Sequence, residues 1–123
     1  MSPTIEIENI DHINLLGLMI GRMIERNLAI PSTARKIASL KGSIGITAGK
    51  MTVTVEFQSG KIRVRNGLIS PLRSSIQGSL SELLKVSLGK NPAVSLLGGG
   101  VKIKGNPLFA LKIMPLIRAV DRG

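Results

Sequence analysis

Apolar and polar residues follow one period in the first third of the chain and another after it. Ile13, Leu16, Ile20, Met23 and Ile24 recur at helical spacing, which predicts an amphipathic helix capped by Asp11 and ending near Leu28. Leu15, Leu18 and Met19 widen the apolar stripe to most of the circumference. Such a helix needs burial on more than one side, by closing a cavity or by an oligomer contact. Pro31 opens a shorter helix to about Leu40, with Gly42 as its stop. Residues 1–10 are expected to be loosely ordered, and 11–41 to form an N-terminal helical pair.

From Ile44 the period becomes two. Ile44 and Ile46 alternate with Gly45 and Thr47, then Met51, Val53, Val55 and Phe57 with Thr52, Thr54 and Glu56. Ile62 and Val64 alternate with Lys61, Arg63 and Arg65. These predict three strands of an antiparallel meander with one buried face, turning at Ala48-Gly49-Lys50 and Ser59-Gly60. A fourth strand is expected near Leu72 to Gln77, and another at Val101 to Lys104 after Gly98-Gly99-Gly100. Ser79 with Glu82 forms a capping box before Leu80, Leu83, Leu84 and Leu88. Asn91-Pro92 and Asn106-Pro107 each launch a further helix, and Pro115 should kink the last one, which runs toward Val120. The order predicts an α+β domain, one sheet with helices on its apolar face. At 123 residues the chain fits one domain.

Composition sharpens this picture. There is no Trp, Tyr or Cys, and Phe57 and Phe109 are the aromatic residues, so the interior is aliphatic with five Met. A deformable interior of this kind suits acyl chains or sterols, and it is equally ordinary core material. The absence of cysteine excludes disulfides and thiolate metal sites. The acidic N-terminus lacks a secretory pattern, the apolar run from Leu15 to Ile20 is too short to span a bilayer, and a cytoplasmic protein is expected.

Charge is uneven. Lys and Arg number 17 against seven acids, a net charge of +10, and beyond Arg26 the body of the chain to Val120 carries Glu56 and Glu82 as its acids. A body this basic attracts polyanions or anionic membranes, or serves solubility. Lys61, Arg63 and Arg65 share the outward face of one strand and Lys102 and Lys104 that of another, a candidate anion-binding or membrane surface.

Catalytic constellations are missing. His12 is the one histidine and has no acidic or thiol cluster around it. Glu56 and Glu82 are accounted for by strand alternation and capping. Gly49-Lys50 and Gly89-Lys90 lack the rest of a phosphate-binding loop, and Ser87 to Lys90 matches Ser-x-x-Lys without its partner motifs. No cofactor or metal site is expected, and the chain reads as non-catalytic.

The segments MTVTVEFQSGKIRVRNG (residues 51–67), GSLSELLKVSLGKNPAVSLLGGGVKIKGN (78–106) and PLFALKIMPLI (107–117) together resemble the sterol carrier protein type 2, or sterol-transfer, family. The likeness covers roughly Ile44 to Val120 and rests on the order and spacing of the segments. It implies a five-stranded, mostly antiparallel sheet covered by helices and enclosing a hydrophobic tunnel. It also implies loose binding of sterols, fatty acyl or prenyl-type lipids, and in some bacterial relatives presentation of a prenylated intermediate to enzymes. Carried onto this chain, the tunnel wall would come from Val55, Phe57, Val101 and Ile103 on strands and from Leu83, Leu84, Leu97, Leu111 and Met114 on helices. Two other classes stay open. One is an adaptor acting through the apolar N-terminal helix, as a homodimer or with a partner. The other is a basic nucleic-acid binder, which the scarcity of aromatic residues for base stacking argues against.

Overall fold

A computed structural model describes residues 4–69, 71–79, 81 and 101–113. The strands are β1 (Thr4–Ile7), β2 (Lys41–Ala48), β3 (Met51–Gln58), β4 (Lys61–Asn66), β5 (Ser74–Gly78) and β6 (Val101–Gly105). The helices are α1 (Leu15–Leu28), α2 (Pro31–Ile37) and α3 (Pro107–Ile113). One mixed sheet runs in the order β1-β4-β3-β2-β5-β6. The meander β2-β3-β4 is antiparallel, as is β5 with β6. The pairs β1–β4 and β2–β5 are parallel.

The expected sheet with helices over its apolar face is present, and its details are corrected. There are six strands rather than five, and the sheet is mixed rather than mostly antiparallel. The additional strand comes from the lead expected to be loose. Ile5 and Ile7 alternate with Thr4 and Glu6, pair in register with Ile62 and Val64, and bury against the same core.

Period two sorts the side chains cleanly. The inner face carries Ile62 and Val64 from β4, Val53, Val55 and Phe57 from β3, Ile44 and Ile46 from β2, and Ile76 from β5, all buried. The outer face carries Lys61, Arg63, Glu56, Thr47, Gln77, Lys102 and Lys104. Two-residue turns join the meander, Gly49-Lys50 and Ser59-Gly60, and both residues of the second take positive φ, as tight hairpins require.

α1 lies on the inner face over β1, β3 and β4. Its cap is Asn14 rather than Asp11: the Asn14 side chain accepts from Gly17 N at 2.8 Å while its Nδ2 donates to Thr52 O at 3.0 Å. Asn14 N in turn donates to Asn66 Oδ1, which ties the start of the helix to the end of β4. Leu16, Ile20 and Ile24 form the buried face. Gly17 and Gly21 let the helix approach closely: a Cβ at Gly17 would collide with Ile13 and lie 3.2 Å from Val53, and one at Gly21 would meet Ile7 at 2.5 Å. α2 ends at Ile37, so Gly42 falls inside β2 instead of stopping the helix.

Between β4 and β5, residues 67–69 and 71–73 lie over the outer face. Thr54 Oγ1 donates to Gly67 O and accepts from Ile69 N, and Leu68 and Leu72 fill the space left by the missing side chain of Gly45. The β1-to-β2 connection passes over the inner face through α1 and α2. Both connections join parallel strands and step in the same direction across the sheet, so they have opposite hands. The capping pattern around Glu82, the helix after Pro92 and the kink at Pro115 lie outside the described residues.

Candidate functional site

Two surfaces follow from this sheet. The inner one is the apolar layer between sheet and helices. Val55 and Phe57 are buried there, and Ile103 is half-buried against the same core. Val101 stands two positions before Ile103 on β6, opposite Gly78, and Leu111 lies on α3. Leu83, Leu84, Leu97 and Met114 lie outside the described residues.

α3 starts because Asn106 Oδ1 accepts from Leu108 N at 3.0 Å and Phe109 N at 3.2 Å, satisfying two free amides of its first turn. That places Phe109, Ala110 and Ile113 in the core. The Phe109 ring meets Phe57 edge to face, with centroids 6.2 Å apart and planes at 89°. Arg73 lies over the same ring, its guanidinium 4.7 Å from the Phe109 centroid and donating from Nη1 to Lys41 O. Phe109 and Ile113 were not among the sequence-derived lining residues. Their spacing of four on a helix opened by Asn106-Pro107 was the available signal.

The two halves of the layer differ. Over β1, β3 and β4, α1 sits in direct contact with Ile7, Val53 and Val64. The layer over β5 and β6 is covered by α3, a helix of smaller described extent.

The outer surface does not gather the five candidate cations. Lys61, Arg63 and Arg65 stand on β4 while Lys102 and Lys104 stand on β6, with β3, β2 and β5 between them. Four strand spacings amount to about 19 Å. The β4 group is also countered. Arg65 Nε lies 2.7 Å from Glu8 and its Nη1 2.8 Å from Glu56. The Glu56 hydrogen bond is the largest influence raising the Arg65 pKa, opposed by desolvation and supplemented by Glu8. Arg63 is in register between Glu6 on β1 and Glu56 on β3. Lys102 and Lys104 instead stand opposite Gln77 and Ser75. The elements β2, β5, β6 and α3 contain no acidic residue, while β2, β6 and α3 carry Lys41, Lys102, Lys104 and Lys112 and Arg73 precedes β5.

A cleft of about 370 Å³ on the outer side of β1, β4 and β3 is lined by Glu6, Glu56, Lys61 and Arg63 with Ile5 and Ile62, a more polar than apolar wall. His12 is an exposed turn residue, its N–H donating to Asn9 O and its carbonyl accepting from Asn66 Nδ2. Among the described residues no three His, Cys, Asp or Glu side chains converge as metal ligands would, and no helix is long and apolar enough to cross a membrane.

Residues 20–118 match the family model of the SCP-2 sterol transfer family. The chain belongs to that family. Among solved structures of this fold, a palmitated SCP2L2 from Aedes aegypti is 19% identical, with a TM-score of 0.64 over 89% of this chain and 100% of its own. The UbiJ-SCP2 ubiquinone synthesis protein is 10% identical, with a TM-score of 0.62 over 83% of this chain and 84% of its own. The sec-alkylsulfatase Pisa1 from Pseudomonas sp. is 13% identical, with a TM-score of 0.62 over 71% of this chain and 14% of its own, so the SCP-2 fold also occurs as a small part of a longer enzyme. No curated protein sequence matches this SCP-2 chain significantly. Family membership implies lipid binding or transfer as the general activity.

Proposed function

We propose that this SCP-2 chain holds an aliphatic lipid between its sheet and its helices and presents or transfers it without chemical change. The observation that carries the reading is the inner sheet face, built of buried Ile, Val and Phe on the four adjacent strands β4, β3, β2 and β5, in a chain of this family. α1 is in contact with β1, β3 and β4, so the guest belongs over β2, β5 and β6, beside Phe57, Ile103 and α3. Val55, Val101, Leu111, Leu83, Leu84, Leu97 and Met114 complete the proposed wall. A ~16-carbon chain at ~0.8 kcal/mol per methylene yields roughly 13 kcal/mol gross. Lost freedom of lipid and side chains offsets much of it, leaving micromolar affinity.

The basic residues support docking on an anionic bilayer while cargo exchanges, with Lys102 and Lys104 as the pair that no described acid counters and Lys61, Arg63 and Arg65 as a weaker group. The name of the ubiquinone synthesis neighbour supports a further possibility, presentation of a prenyl-type lipid to a processing enzyme. Nucleic acid is disfavoured because Phe57 and Phe109 are both buried and offer no stacking platform. An adaptor acting through α1 is disfavoured too, since Leu16, Ile20 and Ile24 are used within the fold and Leu15 is the exposed apolar residue of that helix.

Native mass spectrometry of the purified protein before and after lipid extraction tests the carrier reading. Discrete adducts that vanish on extraction and return with added fatty acid, sterol or prenyl lipid are expected. A bare mass that ignores all three overturns it.

A further inference from the structure

Three polar residues are buried among the described ones: Asn27, Thr54 and Ser74. Asn27 Nδ2 donates to Met23 O, and Thr54 Oγ1 both donates and accepts within the residue 67–73 connection. Ser74 Oγ is buried and has no hydrogen-bond partner. Its direction follows from register. Ser74 lies beside Ile44 on β2 and Gly105 on β6, two positions before the buried Ile76, so its hydroxyl faces the inner layer. It stands on the β5 side of the sheet, where α3 and its Phe109 form the cover.

A buried hydroxyl without a partner destabilises a fold, and alanine would fit the same apolar position without that cost. We infer that Ser74 is a polar subsite of the lipid-binding layer, bonding an uncharged oxygen of the cargo. This rests on the carrier reading and goes beyond it by naming the contact and the kind of head group. The oxygen is a hydroxyl or carbonyl rather than a carboxylate, because every described residue that shares the buried core with Ser74 is uncharged. A carboxylate drawn into that layer would lose its hydration with no buried cation among the described residues to replace it. Arg73, the neighbouring cation, is exposed and already placed over Phe109 and on Lys41 O. A lipid alcohol or ketone supplies both lone pairs for the Ser74 hydroxyl and aliphatic surface for Ile44, Ile76 and Ile103.

Displacement of Nile red by 1-dodecanol, by dodecane and by dodecanoate at pH 8 tests this in the unsubstituted chain, in Ser74→Ala and in the outer-face control Ser75→Ala. Ser74→Ala is expected to weaken dodecanol binding about fivefold, the size of one net hydrogen bond, while dodecane binding stays unchanged. It should also raise the melting temperature of the lipid-free protein by about 2–5 °C, since the orphaned hydroxyl is gone. Ser75→Ala should change neither. Dodecanol binding unaffected by Ser74→Ala, an equal loss for dodecane, or a dodecanoate affinity that depends on Ser74 would each overturn the subsite while leaving the carrier reading intact. If the unsubstituted chain displaces Nile red with none of the three, the carrier reading fails as well.

Discussion

At the scale of single residues, Asn14 shows why a local pattern is not sufficient. Asp11 and Asn14 are both good N-cap types, and both precede the same apolar periodicity. What selects Asn14 lies far along the chain: its N–H donates to Asn66 Oδ1, 52 residues on, and its Nδ2 to Thr52 O, 38 residues on. Asn14→Ala should therefore cost about 2 kcal/mol in urea unfolding, at the upper end for a lost cap. Asp11→Ala, at an exposed position, should stay within about 0.5 kcal/mol of the unsubstituted chain. Gly105 makes a similar point. It and Gly49 both have positive φ, but a Cβ at Gly49 meets open space, whereas one at Gly105 falls 2.7 Å from Arg73 O and 2.9 Å from Ser74 Cα. Gly49→Ala should cost about 1 kcal/mol and Gly105→Ala about 3 kcal/mol, compared by thermal and urea unfolding. The sequence marked Gly49 as a turn but could not reveal the crowding at Gly105, because the crowding atoms belong to β5.

At the scale of elements, every strand of the meander was legible from alternation alone, because one face is buried and the other solvated. Their partners were less legible. β1 has two apolar positions, too few for a confident period, yet Ile5 and Ile7 find a continuous apolar row already laid down by Ile62 and Val64. The two parallel crossovers have opposite hands, so one of them departs from the right-handed preference that a sequence-based topology relies on. The short residue 67–73 connection is held in that unusual path by Thr54 and by Leu68 and Leu72 over Gly45. β1 is the element most exposed to test. Ile7→Asp buries a carboxylate against Gly21 and should undock the strand, raising hydrogen exchange at the β4 amides at least tenfold and leaving β2–β3 exchange unchanged. Protection of β4 that survives the substitution would mean that β1 contributes nothing to the sheet.

At the scale of the whole molecule, the net charge of +10 overstates the basic character of one side and understates that of the other. The described acids, Glu6, Glu8, Asp11, Glu25 and Glu56, sit on β1, on α1, between them, or on β3. Among the described residues the β2, β5, β6 and α3 side has cations alone, with Leu108 exposed at the start of α3. Sequence alternation placed all five candidate cations on outward positions, but it could not reveal that three of them share their surroundings with carboxylates. The difference has a measurable consequence for bilayer binding. A lysine near an anionic leaflet contributes about 1 kcal/mol, so Lys102→Gln with Lys104→Gln should weaken sedimentation with phosphatidylserine-containing vesicles about thirtyfold. Lys61→Gln with Arg63→Gln should weaken it less than threefold, because Glu6 and Glu56 already counter the potential there. Equal losses from the two pairs would mean that the bilayer reads net charge without regard to its placement. Binding to neutral vesicles as strong as to acidic ones would remove the electrostatic account altogether and leave exposed apolar residues such as Leu108 to explain the contact.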